Sequence, residues 1–218
     1  LEVVELTSSL FFSPIVVPFT ITTLCSSPIT RLTLTNTSLT TVQWTTLLKH
    51  LSLQHLLSLA VDSSCPIQSL VGFLAHHNVK DLVFSRGQPT STRSPRVCVC
   101  LPLPSLERLD GPPTCIQSLA SLAKLPTTLE SLTIRFHQSS LSDIPLLEDV
   151  LACAAHFPDL SELCIQIPSG TSRRLLEIPR ESISSCPVRV LFLMCLDSAR
   201  HDIIPYCAPW LRAFPQIN

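Results

Sequence analysis

The stretch "ITRLTLTNTSLTTVQWTTLLKHLSLQHLLSLAVDSS", residues 29–64, decides the fold. It holds two short apolar zigzags, Arg31-Leu32-Thr33-Leu34 and Ser58-Leu59-Ala60-Val61. Between them Trp44, Leu47, Leu48 and Leu51 recur at the spacing of one helix face. Alternation with a period of two marks a strand covered on one side, whereas the i, i+3, i+4, i+7 spacing marks an amphipathic helix. A strand and a helix this short cannot bury their apolar sides alone, so the unit is expected to stack on copies of itself.

The copies are present along the chain. The pattern apolar-x-x-apolar-x-apolar occurs at Ile29/Leu32/Leu34, Leu56/Leu59/Val61, Val79/Leu82/Phe84, Leu129/Leu132/Ile134, Leu160/Leu163/Ile165 and Val188/Leu191/Leu193. A degenerate copy is Leu106/Leu109/Gly111, and an incomplete eighth is Leu211/Phe214. Taking the second residue of each as its anchor, the anchors are 23 to 31 residues apart, with a mean of about 26, a period of leucine-rich-repeat length. Pro28, Pro104, Pro126, Pro158, Pro187 and Pro209 each fall four to six residues before an anchor, where proline ends one element and opens the next extended one.

Three further helices are predicted from Ile67/Leu70/Val71/Leu74, Ile116/Leu119/Ala120/Ala123 and Leu147/Val150/Leu151/Ala154. The expected fold is therefore an α/β leucine-rich-repeat solenoid, a horseshoe of about eight irregular repeats forming one domain over residues 1–218. Its parallel sheet lines the concave side and its helices the convex side. Residues 1–25 read as a partial or irregular first repeat, with Leu6 of "LEVVEL" lying 26 residues before Leu32. Residues 85–104 read as an irregular, loop-rich stretch whose Arg86, Arg93 and Arg96 are expected to be solvated.

Composition excludes several functions. A net charge of -1 with 14% charged residues gives no bulk attraction to nucleic acid or to an anionic membrane. The four glycines are too scattered for a phosphate-cradling loop. The apolar run "LFFSPIVVPFTITTL" is interrupted by Pro14 and Pro18 and has no preceding positive charge, so neither a signal peptide nor a membrane-spanning helix is expected. Ten irregularly spaced cysteines in largely apolar surroundings are expected to be reduced and buried, which points to the cytoplasm or nucleus; the sequon Asn36-Thr37-Ser38 is weak support for secretion.

No nucleophile elbow or paired-acid constellation is present. His76-His77, at the end of a predicted helix, is expected to bind terminal carbonyls. Cys153, His156 and Cys164 place three soft ligands within twelve residues, but Cys164 is expected on the sheet face opposite Leu163 and Ile165 and no fourth ligand is evident, so no metal and no other cofactor is expected. What remains is the surface of the sheet. Residues at -1, +1 and +3 from each anchor face the concave side, giving Arg31/Thr33/Thr35, Ser58/Ala60/Asp62, Asp81/Val83/Ser85, Ser131/Thr133/Arg135, Glu162/Cys164/Gln166 and Val190/Phe192/Met194. Val190, Phe192 and Met194 are the expected anchors for a protein partner.

The segments "ITRLTLTNTSL", "LPTTLESLTIRF", "FPDLSELCIQI" and "CPVRVLFLMCL" resemble the leucine-rich repeats of fungal F-box and related proteins, over about residues 26–218. The resemblance implies a non-catalytic protein-interaction module that recognises substrates for a Skp-cullin-F-box ubiquitin ligase. An F-box is not expected within this chain, which reads as a fragment cut through a solenoid, so the ligase adaptor is a partner only through a segment outside it. The alternatives are a cytosolic repeat scaffold or regulator without a ligase connection and, from another class, a Ser/His hydrolase. The chain departs from regular repeats five residues after each anchor, where Thr37, Ser64, Gly87, Thr114, His137, Pro168 and Leu196 replace the usual Asn or Cys. Hydrogen bonds between repeats must then be made by other groups, and irregular curvature is expected.

Overall fold

A computed structural model of the chain describes residues 2–85, 101–136, 143–155, 157–167, 187–195 and 214. Arg86, Arg93, Arg96, His137, His156, Pro168, Leu196 and Leu211 lie outside the described residues, as does most of the eighth repeat. The fold is α/β with a mostly parallel sheet. In chain order its elements are β1 (Val3–Leu6), a 3-10 turn (Ser9–Phe12), α1 (Val17–Ser26), β2 (Arg31–Leu34), α2 (Thr41–His50), β3 (Ser58–Asp62), α3 (Ile67–Leu74) and β4 (Asp81–Ser85). There follow β5 (Leu101–Pro102), β6 (Arg108–Gly111), α4 (Pro113–Leu122), β7 (Ala123–Lys124), β8 (Ser131–Arg135), α5 (Asp143–Ala154), β9 (Glu162–Ile167) and β10 (Val190–Cys195).

The chain divides into two compact units, residues 1–106 with 118–125 and residues 107–117 with 126–218. In the first, β1, β2, β3 and β4 pair in that order, all parallel, and β5 pairs separately with β7. In the second, β6, β8, β9 and β10 pair in order, also parallel. The anchors stand side by side: Leu32 opposite Leu59 and Leu59 opposite Leu82 in one unit, Leu109, Leu132, Leu163 and Leu191 in the other. The degenerate fourth repeat is thus a true strand, with Gly111 occupying the inward position opposite Ile134.

One backbone device recurs in both units. The carbonyl two residues before an anchor accepts hydrogen bonds from the N–H groups two and one residues before the next anchor. Thr30 O receives Leu57 and Ser58, and Leu57 O receives Lys80 and Asp81. Glu107 O receives Glu130 and Ser131, Glu130 O receives Ser161 and Glu162, and Ser161 O receives Arg189 and Val190. These bonds carry the parallel ladder back past the start of each strand, main chain to main chain.

The same device corrects the first repeat. Glu2 O receives Thr30 and Arg31, and β1 pairs Val4 with Leu32 and Leu6 with Leu34, so the residue matching Leu32 is Val4 rather than Leu6. Residues 9–26 also hold more order than an irregular repeat. Pro18 sits in the first turn of α1, where its missing N–H has no intrahelical partner to lose, so it opens the helix instead of breaking it. No helix among the described residues is long and apolar enough to cross a membrane.

Each unit is covered on one sheet face. Leu32, Leu34, Leu59, Val61, Leu82 and Phe84 are wholly buried, and Trp44, Leu47 and Leu48 of α2 and Leu70, Val71, Phe73 and Leu74 of α3 are buried with them. Leu109, Leu132, Ile134, Leu163 and Ile165 are buried in the second unit with Leu147, Val150 and Leu151 of α5. The intervening strand residues are half-buried or exposed, apart from Asp62. Local signals fix the helices: Thr40 and Gln43 form a reciprocal capping box at the start of α2, and Lys49 and His50 lie in its last turn, where positive charge suits the helix dipole. Ala123, read as the last apolar residue of the fourth helix, instead belongs to β7.

Candidate functional site

The open sheet faces carry the residues picked out by the strand period. In the first unit Arg31 is exposed, while Thr33, Thr35, Ser58, Ala60, Asp81, Val83 and Ser85 are half-buried. In the second, Ser131, Thr133, Arg135, Cys164 and Gln166 are half-buried and Glu162 is exposed. Val190, Phe192 and Met194 are 40%, 51% and 46% exposed, which makes them an accessible apolar row on one strand.

Asp62 is the exception and corrects the expected binding face. It is only 6% exposed, because the turn after β2 folds over it. Its Oδ1 accepts the Asn36 N–H at 2.9 Å and the Ser85 hydroxyl at 3.0 Å. Its Oδ2 accepts the Thr37 N–H and the Thr37 hydroxyl, each at 3.1 Å. Asn36 and Ser38 hold left-handed φ values of 57° and 51°, a turn that aims two successive N–H groups at one carboxylate. Asp62 therefore joins β2, β3 and β4 from within and is not a contact for a partner. Period-two reading gave its side of the strand correctly but carried no information about the turn above it.

The second unit carries a different polar link, at another strand position: Asp62 lies three residues after its anchor, Asp110 one residue after Leu109. Asp110, on the degenerate repeat and absent from the expected face, meets Arg135 with Nε to Oδ1 at 2.6 Å. Burial pushes the Asp110 carboxyl above its ordinary range, and the charge and hydrogen bond of Arg135 oppose the rise without cancelling it. On the next strands, the Cys164 thiol donates to Met194 Sδ at 3.7 Å. Burial first, and the negative charge of Asp110 second, raise the Cys164 thiol above its usual value. Burial likewise raises Cys153 and pushes Cys115 to about 12. These three thiols remain protonated at neutral pH and are poor nucleophiles or ligands. Among the described free cysteines, Cys65 and Cys115 are buried as expected, whereas Cys153 and Cys164 are half-buried and Cys25 is exposed.

His76 and His77 sit where the carbonyls of α3 end. His76 Nδ1 lies 2.8 Å from Gly72 O and His77 Nδ1 lies 2.7 Å from Phe73 O. His77 Nε2 also accepts the Leu53 N–H at 3.1 Å, and its ring stacks on Phe73. Among the described residues no group of three or more His, Cys, Asp and Glu side chains is placed to hold a metal ion. No protein-family model matches the chain, and no curated protein matches it.

Proposed function

We propose that this chain is a non-catalytic protein-interaction module built as a leucine-rich-repeat solenoid. Its open sheet face would capture a protein partner, as in the substrate-recognition part of an F-box ubiquitin ligase. The single observation that carries the reading is the exposed row of Val190, Phe192 and Met194 on β10, since an aromatic and a methionine on an otherwise polar sheet face supply the desolvated centre that a protein contact needs. One-sided cover supports the repeat architecture. A doubly wound parallel sheet buries both faces and reads as unbroken apolar strands, whereas these strands alternate and leave Thr33, Ser58, Thr133 and Glu162 at least partly open. The ligase connection rests on the family resemblance; the alternative of a repeat scaffold without it shares the same face.

The test is differential affinity capture with quantified mass spectrometry, comparing the wild type, Phe192→Asp, and Val42→Asp as a control on the exposed side of α2. Partners held by the first and third proteins and lost by the second support the reading. An identical set from all three overturns the face. Co-purification of a Skp-type adaptor with the full-length gene product separates the ligase from the scaffold, and labelling by a fluorophosphonate would instead establish the hydrolase.

A further inference from the structure

The helix side of the first unit carries a surface that the sheet face does not use. From Leu6 to Lys80 the only acidic residue is Asp62, and its carboxylate is buried and saturated with hydrogen bonds. The three Lys and Arg of this stretch are Arg31, on strand β2, Lys80, and Lys49, which stands on the helix side in the last turn of α2. Within the stretch, the seam between α2 and α3 opens into a groove of about 440 Å³, a volume within the range of ligand sites. Its apolar lining consists of the edges of Leu48, Leu51 and Phe73, each 4% exposed, and a hydrogen bond of 3.0 Å between Thr45 and Ser69 ties the two helices together.

Gly72 lies in the lining, and a Cβ added there would meet nothing within 4 Å. Glycine inside a helix is unfavourable, and here no neighbour in the fold requires it. Lys49, with no acidic partner among the described residues, lines the groove with His76, whose Nδ1 is held by Gly72 O. A lining edged by apolar side chains, open space over Gly72 and a lysine without an acidic partner match an acidic, amphipathic ligand.

We infer that the α2–α3 groove docks a short acidic peptide segment of a partner protein. The peptide seats a leucine or aromatic side chain over Gly72 and sets a carboxylate against Lys49. The groove is built from residues of the first unit and the β10 row from residues of the second, so the two contacts are tested by different variants.

The test is phage display of random peptides on the whole chain, followed by fluorescence polarisation of the enriched peptides with variants. Enriched peptides are expected to pair Asp or Glu with Leu, Phe or Trp. Gly72→Leu fills the groove while raising helix propensity, so it is expected to retain the wild-type circular dichroism and weaken binding at least about tenfold. Lys49→Glu is expected to weaken it similarly and to flatten its salt dependence. Failure to enrich any peptide, enriched peptides without acids, or equal binding by Gly72→Leu overturns the inference. Displacement of the peptides by uncharged detergent as readily as by an acidic competitor also overturns it, by showing a merely greasy cleft.

Discussion

The two units follow one strand-and-helix grammar but secure their open faces by different chemistry. In residues 1–106 with 118–125, a buried carboxylate gathers two N–H groups and two hydroxyls from the flanking strands and turn, so the face is held by hydrogen bonds from beneath. In residues 107–117 with 126–218, the polar link is the partly open pair Asp110–Arg135, and the face ends in an exposed apolar row. Charge divides in the same way. The first unit has seven Lys and Arg against four Asp and Glu, a net of +3, and the second has eight against twelve, a net of -4. The overall value of -1 conceals this polarity. The same main-chain hydrogen bonds recur between neighbouring strands in both units, while the chemistry of the open face varies without changing register.

The sharpest way to break the contrast is Asp62→Ala. It leaves the Asn36 and Thr37 N–H groups and two hydroxyls without their acceptor in a buried site. Loss of a buried, fully bonded carboxylate is expected to cost about 3 to 5 kcal/mol, measured by urea denaturation. Asp62→Asn keeps one acceptor oxygen and is expected to lie between the variant and the wild type. A loss below about 1 kcal/mol for Asp62→Ala would show that this carboxylate is no more important than a surface pair, and the first unit would then resemble the second.

Phe192→Asp probes the other side of the comparison. The ring is half exposed, so the substitution is expected to change stability by less than about 0.5 kcal/mol while costing a bound partner about 2 kcal/mol or more. Thermal melts and titration calorimetry with a captured partner read the two effects. A stability loss comparable to that of Asp62→Ala would mean that Phe192 serves the fold and not a partner.

Legibility in the sequence follows the same division between periodic and non-periodic information. Leu32, Leu59 and Leu82 could be aligned because side-chain direction along a strand has a period of two, and a slip by one residue would turn every leucine outward. β1 could not, because "VVEL" offers apolar residues at 3, 4 and 6, and the choice of Val4 is made by the Glu2 carbonyl, a backbone contact 28 positions from Thr30. The row Val190, Phe192 and Met194 was readable from alternation alone. The burial of Asp62 was not, since it depends on two left-handed residues in a turn, and neither Asn36 nor Ser38 announces that geometry as glycine would.

Gly72→Ala gives a smaller effect of opposite sign. The added methyl group meets no atom within 4 Å and the residue sits inside α3, so the helix gains without a clash. Stabilisation of about 0.5 to 1 kcal/mol is expected, seen as a higher melting temperature. A destabilised variant would mean that the seam between α2 and α3 closes on Gly72, and that the first unit lacks the open groove that distinguishes its helix side.

The smallest effect concerns Asp110, and its sign decides which force governs the open face of the second unit. Burial raises its pKa above the ordinary carboxylate value of 3.8, and Arg135 lowers it by less. A carboxyl whose folded pKa is raised binds its proton more tightly in the folded chain than in the unfolded one. Its contribution to stability is thus complete below the unfolded value, near 3.8, and is lost as pH climbs through the folded value. Carbon-detected NMR titration of the Asp110 carboxyl should place its midpoint above 3.8 in the wild type and higher again in Arg135→Gln, where both opposing influences disappear. The stability difference between wild type and Asp110→Asn should shift against the wild type across the same window. A midpoint below 3.8 would mean that the 2.6 Å ion pair outweighs desolvation. Asp110 would then strengthen its face at neutral pH as Asp62 does, and the two units would differ in exposure but not in electrostatic logic.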